Sequence, residues 1–237
     1  MFRVLKTRRE NEEARAALRR RGLDCLATGI FDRLLRAVGM RRTVQVGDPV
    51  KSWDLFATVE FIEQNMPRTS RVLDLGAYAS EVLCVLHRLG YRRLSGIDLN
   101  PSISQMPHSG SIRYVEGDIM RTPFPENSFD AVTAVSVIEH GFQEEKLLQE
   151  LARIVAPGGY FIASVDYWPQ KIDTAGLHVF GLDWLIFSEQ DMRRFLARAV
   201  AYGFSAIGSL DFGADERVVS WNGKDYTFAW FVLRKAA

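Results

Sequence analysis

The chain has 237 residues, 47% hydrophobic and 25% charged, with a formal net charge of +1, enough for one large α/β unit with a small extension. Its two cysteines, Cys25 and Cys84, exclude a disulfide framework, and no Cys/His cluster has zinc spacing. No run is long and apolar enough to span a bilayer, and the opening MFRVLKTRRE lacks a secretion signal's apolar stretch, so a cytoplasmic location is expected. Charge is uneven, because residues 1–42 carry twelve Lys/Arg against five Asp/Glu. That surplus is expected on a solvated helical arm or an oligomer contact, with nucleic acid as the alternative partner.

In chain order, Asn11 before EEARAALRRR predicts a capped helix with acids in its first turn and arginines in its last. A second helix is expected over residues 25–38, and Ser52 is expected to cap a third that runs to Met66 and stops at Pro67. The rhythm then alternates. Strands are predicted at Arg71–Leu75, Leu94–Asp98, Ile112–Val115, Phe129–Val135 and Tyr160–Val165. Helices are predicted at Ser80–Leu89 and Glu144–Val155, and from a Ser188/Asp191 capping box to near Gly203. Asn222-Gly223 between two β-rich runs predicts a closing hairpin. The expected fold is α/β: a Rossmann-like, seven-stranded, mostly parallel sheet with an antiparallel C-terminal hairpin and helices on both faces. Residues 1–50 are expected as an N-terminal helical extension and 51–237 as the main domain.

The stretch VLDLGAYAS lacks the G-x-G-x-x-G spacing that seats a pyrophosphate against backbone N–H groups. Asp74 at a strand end repels a diphosphate and suits a cationic cofactor, such as S-adenosylmethionine with its ammonium and sulfonium. Asp74, Asp98 and Asp118 then fall in register along the carboxyl edge of the sheet, where open α/β folds bind ligands.

These motifs resemble the class I, Rossmann-like S-adenosylmethionine-dependent methyltransferases: VLDLG, GIDLNP, EGDIMRTPFPENSFDAVTAVSVIEH and LLQELARIVAPGGYFIASV, across about residues 50–205. The resemblance implies a donor site at Asp74, Gly76, Ala77, Tyr78, Asp98, Leu99, Asn100, Asp118, Ile119 and Ser136. Tyr78 and Ser80 depart from the family's glycines. His140 after the fourth strand is the expected base, with Glu139 beside it. Similar ubiquinone-pathway and small-RNA methyltransferases carry Glu-x-x-Glu-His as metal ligands. Here Ser136 replaces the first of these, His178 would have to reach in, and no metal is expected. The aromatic segment 166–187 is expected to hold the acceptor through Tyr167, Trp168, His178 and Trp184. The expected reaction is O-methylation of a small molecule or saccharide, including an anionic or nucleotide-linked sugar. An RNA methyltransferase and a non-catalytic cofactor-binding protein are the alternatives. Homo-oligomerisation through the N-terminal helices is a further expectation.

Overall fold

A computed structural model describes residues 1–26 and 44–237. The five described α-helices are α1 (Arg8–Arg20), α2 (Ser52–Asn65), α3 (Val82–Arg88), α4 (Glu144–Ile154) and α5 (Glu189–Ala201). The main sheet runs β1 (Phe2–Val4), β11 (Lys224–Lys235), β6 (Val155–Tyr167), β5 (Phe129–Val135), β2 (Arg71–Leu75), β3 (Arg93–Asp98) and β4 (Arg113–Glu116). Pairing is parallel from β6 to β4 and antiparallel from β6 through β11 to β1. Reversal of strand order beside β2 opens the crevice in which such sheets bind ligands.

The sheet has nine described strands rather than seven. Two short ones, β9 (Phe204–Ala206) and β10 (Val219–Trp221), pair with β11, and the chain's first residues add β1 along the side of β11 away from β6. The expected hairpin at Asn222-Gly223 joins β10 to β11, with positive φ at both turn residues. A separate small ribbon pairs β7 (His178–Val179) with β8 (Leu182–Asp183).

Helices cover both faces. Leu147, Leu151, Met192 and Phe195 bring α4 and α5 onto one core, whereas Leu55, Ile62, Val82 and Leu86 bring α2 and α3 onto the other. The capping box at Ser188 and Asp191 forms as the sequence implies. At α1 the cap moves: Thr7 accepts from Glu10 N–H, and Asn11 lies inside the helix. Asn11 instead accepts from the N–H groups of Ser52 and Trp53 at 3.1 and 2.9 Å, so it caps α2 from a distant helix. Ser52, expected as that cap, donates its hydroxyl to Pro49 C=O. The helix expected over residues 25–38 falls mostly outside the described residues. Among the described residues no helix is long and apolar enough to cross a membrane.

Candidate active site

The loop after β2 begins at Gly76, whose φ of +65° and approach to Val137 exclude a side chain: a Cβ there would meet Val137 Cγ2 at 2.4 Å. The two departures from a glycine-rich loop are built into its structure. Ser80 Oγ donates to Asp74 Oδ2 at 2.6 Å, and Tyr78 N–H donates to Asp98 Oδ2 at 3.0 Å. The Tyr78 ring packs against the core beside α2 and α3. Ala77 is fully buried and donates its N–H to Ile97 C=O.

Asp74 is fully buried, and Thr133 Oγ1 holds its second oxygen at 2.6 Å. Burial pushes its carboxyl up to about 7, against the lowering effect of the two hydroxyls. It anchors the loop from beneath and faces inward. Asp98 is half-exposed at the end of β3, taking one N–H from Tyr78 and one from Asn100, so its oxygens keep lone pairs for further donors. Leu99 beside it is 57% exposed, an apolar surface next to a carboxylate. Asn100 caps the following 3₁₀ turn through Ser102 N–H. Beyond β4, Asp118 is exposed and accepts from Met120 N–H, while half-buried Ile119 lies on the core. Gly117 N–H bonds Asp98 C=O at 2.9 Å and ties this end of β4 to β3.

At the carboxyl end of β5, Ser136 has φ +50°, a conformation unfavourable for a residue with a Cβ, and its N–H is held by Ser164. Ser136 Oγ, both Glu139 carboxyl oxygens and His140 Nδ1 are buried with no hydrogen-bond partner among the described residues. Such orphans are rare in folded proteins, and here they gather within five residues. Glu139 lies far above its ordinary range because it is buried and because Asp166 lies nearby. His140 is lowered to about 4 by burial and by the charge of Lys51, so its ring is neutral at physiological pH.

The sequence did not single out Asp54, Lys51 or Asp166. Asp54 is fully buried in α2 and accepts from Ser164 Oγ at 2.7 Å, while Asp166 accepts from Trp184 Nε1 at 2.7 Å. Burial raises Asp166 to about 7 and raises Asp54 as well. The one legible signal was an acid inside the otherwise apolar start of α2, WDLFA.

The aromatic segment differs from its expected role. Tyr167 and Trp184 are buried supports and not an acceptor wall. Tyr167 OH bonds Phe212 C=O at 2.8 Å, and the Trp184 ring packs edge-on against Trp221 and Tyr226 while its N–H holds Asp166. Both are enclosed by the packing around the end of β6, and each indole or phenol dipole finds a buried acceptor. Trp168 is partly exposed beneath the Arg217 guanidinium. His178 is exposed on the small ribbon and pairs with Asp183 at 3.1 Å, so it is not gathered with Glu139 and His140. Among the described residues, no set of three or more His, Cys, Asp or Glu is placed to hold a metal ion. Phe180, at the tip of that ribbon, is 85% exposed and meets the His140 ring edge-on at 5.5 Å.

Residues 73–163 match a protein-family profile described as "Methyltransferase domain". A sterol 24-C-methyltransferase of Gibberella zeae is 43% identical over 53 residues, 22% of this chain and 14% of that protein. A ubiquinone/menaquinone biosynthesis C-methyltransferase of Vibrio cholerae is 26% identical over 147 residues, 55% of this chain and 56% of that one. The chain thus spans a small part of the first relative's length and about half of the second's. Among solved structures, the [4+2]-cyclase SpnF superposes with a TM-score of 0.58 at 18% identity, over 83% of this chain and 84% of that one. An S-adenosylmethionine dependent methyltransferase from Mesorhizobium loti superposes with a TM-score of 0.54 at 14% identity, over 78% and 98%. At those identities the likeness is one of fold.

The matched profile is that of a methyltransferase domain, and the residues present fit S-adenosylmethionine. The unpartnered Ser136 hydroxyl suits an ammonium hydrogen, the free lone pairs of Asp98 suit hydroxyl donors, and exposed Leu99 suits a flat apolar ring.

Proposed function

We propose that this chain, whose residues 73–163 lie in a class I S-adenosylmethionine-dependent methyltransferase domain, transfers the methyl group to a small-molecule acceptor that carries an acidic hydroxyl. The observation that carries the reading is the set of unpartnered buried polar atoms of Ser136, Glu139 and His140, in the turn whose Val137 packs on Gly76. Bound S-adenosylmethionine supplies an activated methyl on sulfur. The chain's own residues must then orient, exclude water and take a proton. Asp98 and Leu99 hold the nucleoside, Asp118 and Ile119 its base, and the backbone from Gly76 to Tyr78 with Ser136 the amino-acid end.

His140 is the proton acceptor in this reading. Its Nδ1 is unoccupied and its ring neutral, but burial makes it a weak base. A weak base is matched to an acidic hydroxyl, phenolic or enolic, better than to an ordinary sugar hydroxyl. An ionised phenol or enol is nucleophilic at carbon as well as at oxygen. The curated relatives named above are C-methyltransferases, which favours carbon as the second reading. An anionic glycan or nucleotide-linked sugar would draw on the basic surplus near the N-terminus rather than on Asp54, Glu139 and Asp166, the three buried carboxyl groups at this edge. Much of the basic surplus near the N-terminus is taken up locally, as Arg15 and Arg19 pair with Asp24, and Arg21 with Glu63.

The test is transfer of a radiolabelled methyl group to phenols, enols, simple saccharides and RNA, with products resolved by NMR. Label in a phenol or enol, reduced about a hundredfold by His140→Ala, is the expected result. Label only in RNA would move the reading to the nucleic-acid alternative. Cofactor binding without label in any acceptor would leave a non-catalytic binding protein.

A further inference from the structure

At the opposite end of the parallel strands lies a basic row that methyl transfer does not use. Three adjacent strands each begin with an arginine: Arg71 on β2, Arg93 on β3 and Arg113 on β4. Arg71 pairs across with Arg93, and Arg113 with Ser95. Paired residues share a face, as do alternate residues of one strand, so all four side chains emerge on one face of the sheet. They line a cavity of about 350 Å³ together with Arg92 and Ser128.

The charge in this cavity is unbalanced. Among the described residues Arg71 alone has a carboxylate in an ion pair, Asp130 at 2.6 Å, and the charge of Arg93 acts on that same carboxylate from farther off. Arg92 donates to the carbonyl of His87, and the Arg113 guanidinium lies 5.2 Å from the centre of the Phe124 ring. The Arg93 guanidinium has no hydrogen bond or ion pair among the described residues, whereas its neighbour Arg71 has both. Like charges directly opposite each other on neighbouring strands are destabilising, and an anion lodged between them removes that cost. Guanidinium groups grip phosphate oxygens in pairs, and serine hydroxyls add neutral donors.

We propose that this cavity binds a small phosphate-bearing anion of about the size of a nucleoside monophosphate. Its volume is at the lower end of small-molecule sites. The arginines stand on paired strands and not on a mobile arm, so their backbone positions are fixed before the ligand arrives. β3 runs six residues from Arg93 to Asp98, which separates this cavity from the donor edge by roughly 17 Å. The anion is therefore a second ligand, distinct from both cofactor and methyl acceptor.

The experiment is calorimetric titration of the full chain with inorganic phosphate and with AMP. Wild type is compared with Arg93→Ala and with the Arg93→Ala/Arg113→Ala pair, and S-adenosylmethionine binding and Tm are measured on the same samples. Saturable binding of both probes, weakened at least tenfold in the paired variant, is the expected result. S-adenosylmethionine affinity should be unchanged, and Tm without ligand should stay close to that of wild type, so that lost binding is not lost folding. Absence of saturation by either probe would overturn the proposal, and so would binding that ignores both substitutions. An RNA oligonucleotide that binds more tightly than AMP and is weakened by the same substitutions would make this a nucleic-acid face and overturn it too.

Discussion

Ser80 and Thr133 each donate a hydroxyl hydrogen to one oxygen of the buried Asp74 carboxyl group, both at 2.6 Å. The serine that breaks a glycine-rich pattern thus holds the donor loop against the strand beneath it. Ser80→Ala leaves Asp74 Oδ2 one donor short in a buried place. It is expected to cost about 1–3 kcal/mol. Ser80→Thr, which keeps the hydroxyl, should recover most of that in a urea titration.

Asp98 is expected to act on binding and not on folding. It is half-exposed, and the two donors that reach its carboxylate are backbone N–H groups of its own neighbourhood, those of Tyr78 and Asn100. Asp98→Ala should weaken S-adenosylmethionine by tenfold or more in calorimetry and lower Tm by only a few degrees. Unchanged affinity would remove Asp98 from the donor site.

The pH dependence of stability has a definite sign at Asp74. Its folded carboxyl titrates at about 7, above the unfolded value of 3.8, so its contribution is fully present below pH 4 and is lost as pH rises to about 7. Asp166 behaves in the same sense, again with a folded value of about 7. His140 opposes them, since a lowered imidazole gains stability as pH rises from about 4 to its ordinary value of 6.5. The informative quantity is therefore the difference between wild type and Asp74→Asn. Between pH 4 and 7 the wild-type Tm should fall more steeply than that of the variant. Parallel curves would show that Asp74 is not held in its neutral form.

Arg15 joins the N-terminal helix to the loop after β2. It donates to Glu81 at 2.8 Å and to Asp24 at 3.1 Å, and all three side chains are less than 10% exposed. Removing one member of a buried ion group leaves charge uncompensated, at a cost of about 3–5 kcal/mol. Arg15→Ala should therefore lower the urea midpoint strongly. Because Glu81 directly precedes α3, cofactor affinity should fall with it. The double variant Arg15→Met/Glu81→Gln should be less destabilised than Arg15→Ala, as the stranded carboxylate is gone.

What the amino-acid sequence determined by itself is what local chemistry decides. The capping box at Ser188 and Asp191, the Asn222-Gly223 turn, and the alternation that puts Asp98 at the end of β3 all act within a few residues, and all appear where expected. Tertiary structure decided whatever depends on residues far apart in the chain. Phe2–Val4 is a strand because β11, at the far end of the chain, offers it an edge, a pairing with no local signature. Asn11 reads as the cap of its own helix, yet it caps α2, because the first N–H groups of α2 lie within its reach. Tyr167 and Trp184 read as a surface for an acceptor, yet they are buried, because Phe212 C=O and the Asp166 carboxylate satisfy their polar tips inside the fold. The group of Asp54, Glu139 and Asp166 arises only when α2 lies over the ends of β5 and β6. Burial, which no short stretch of sequence encodes, then raises all three acids above their ordinary range at the edge of the site.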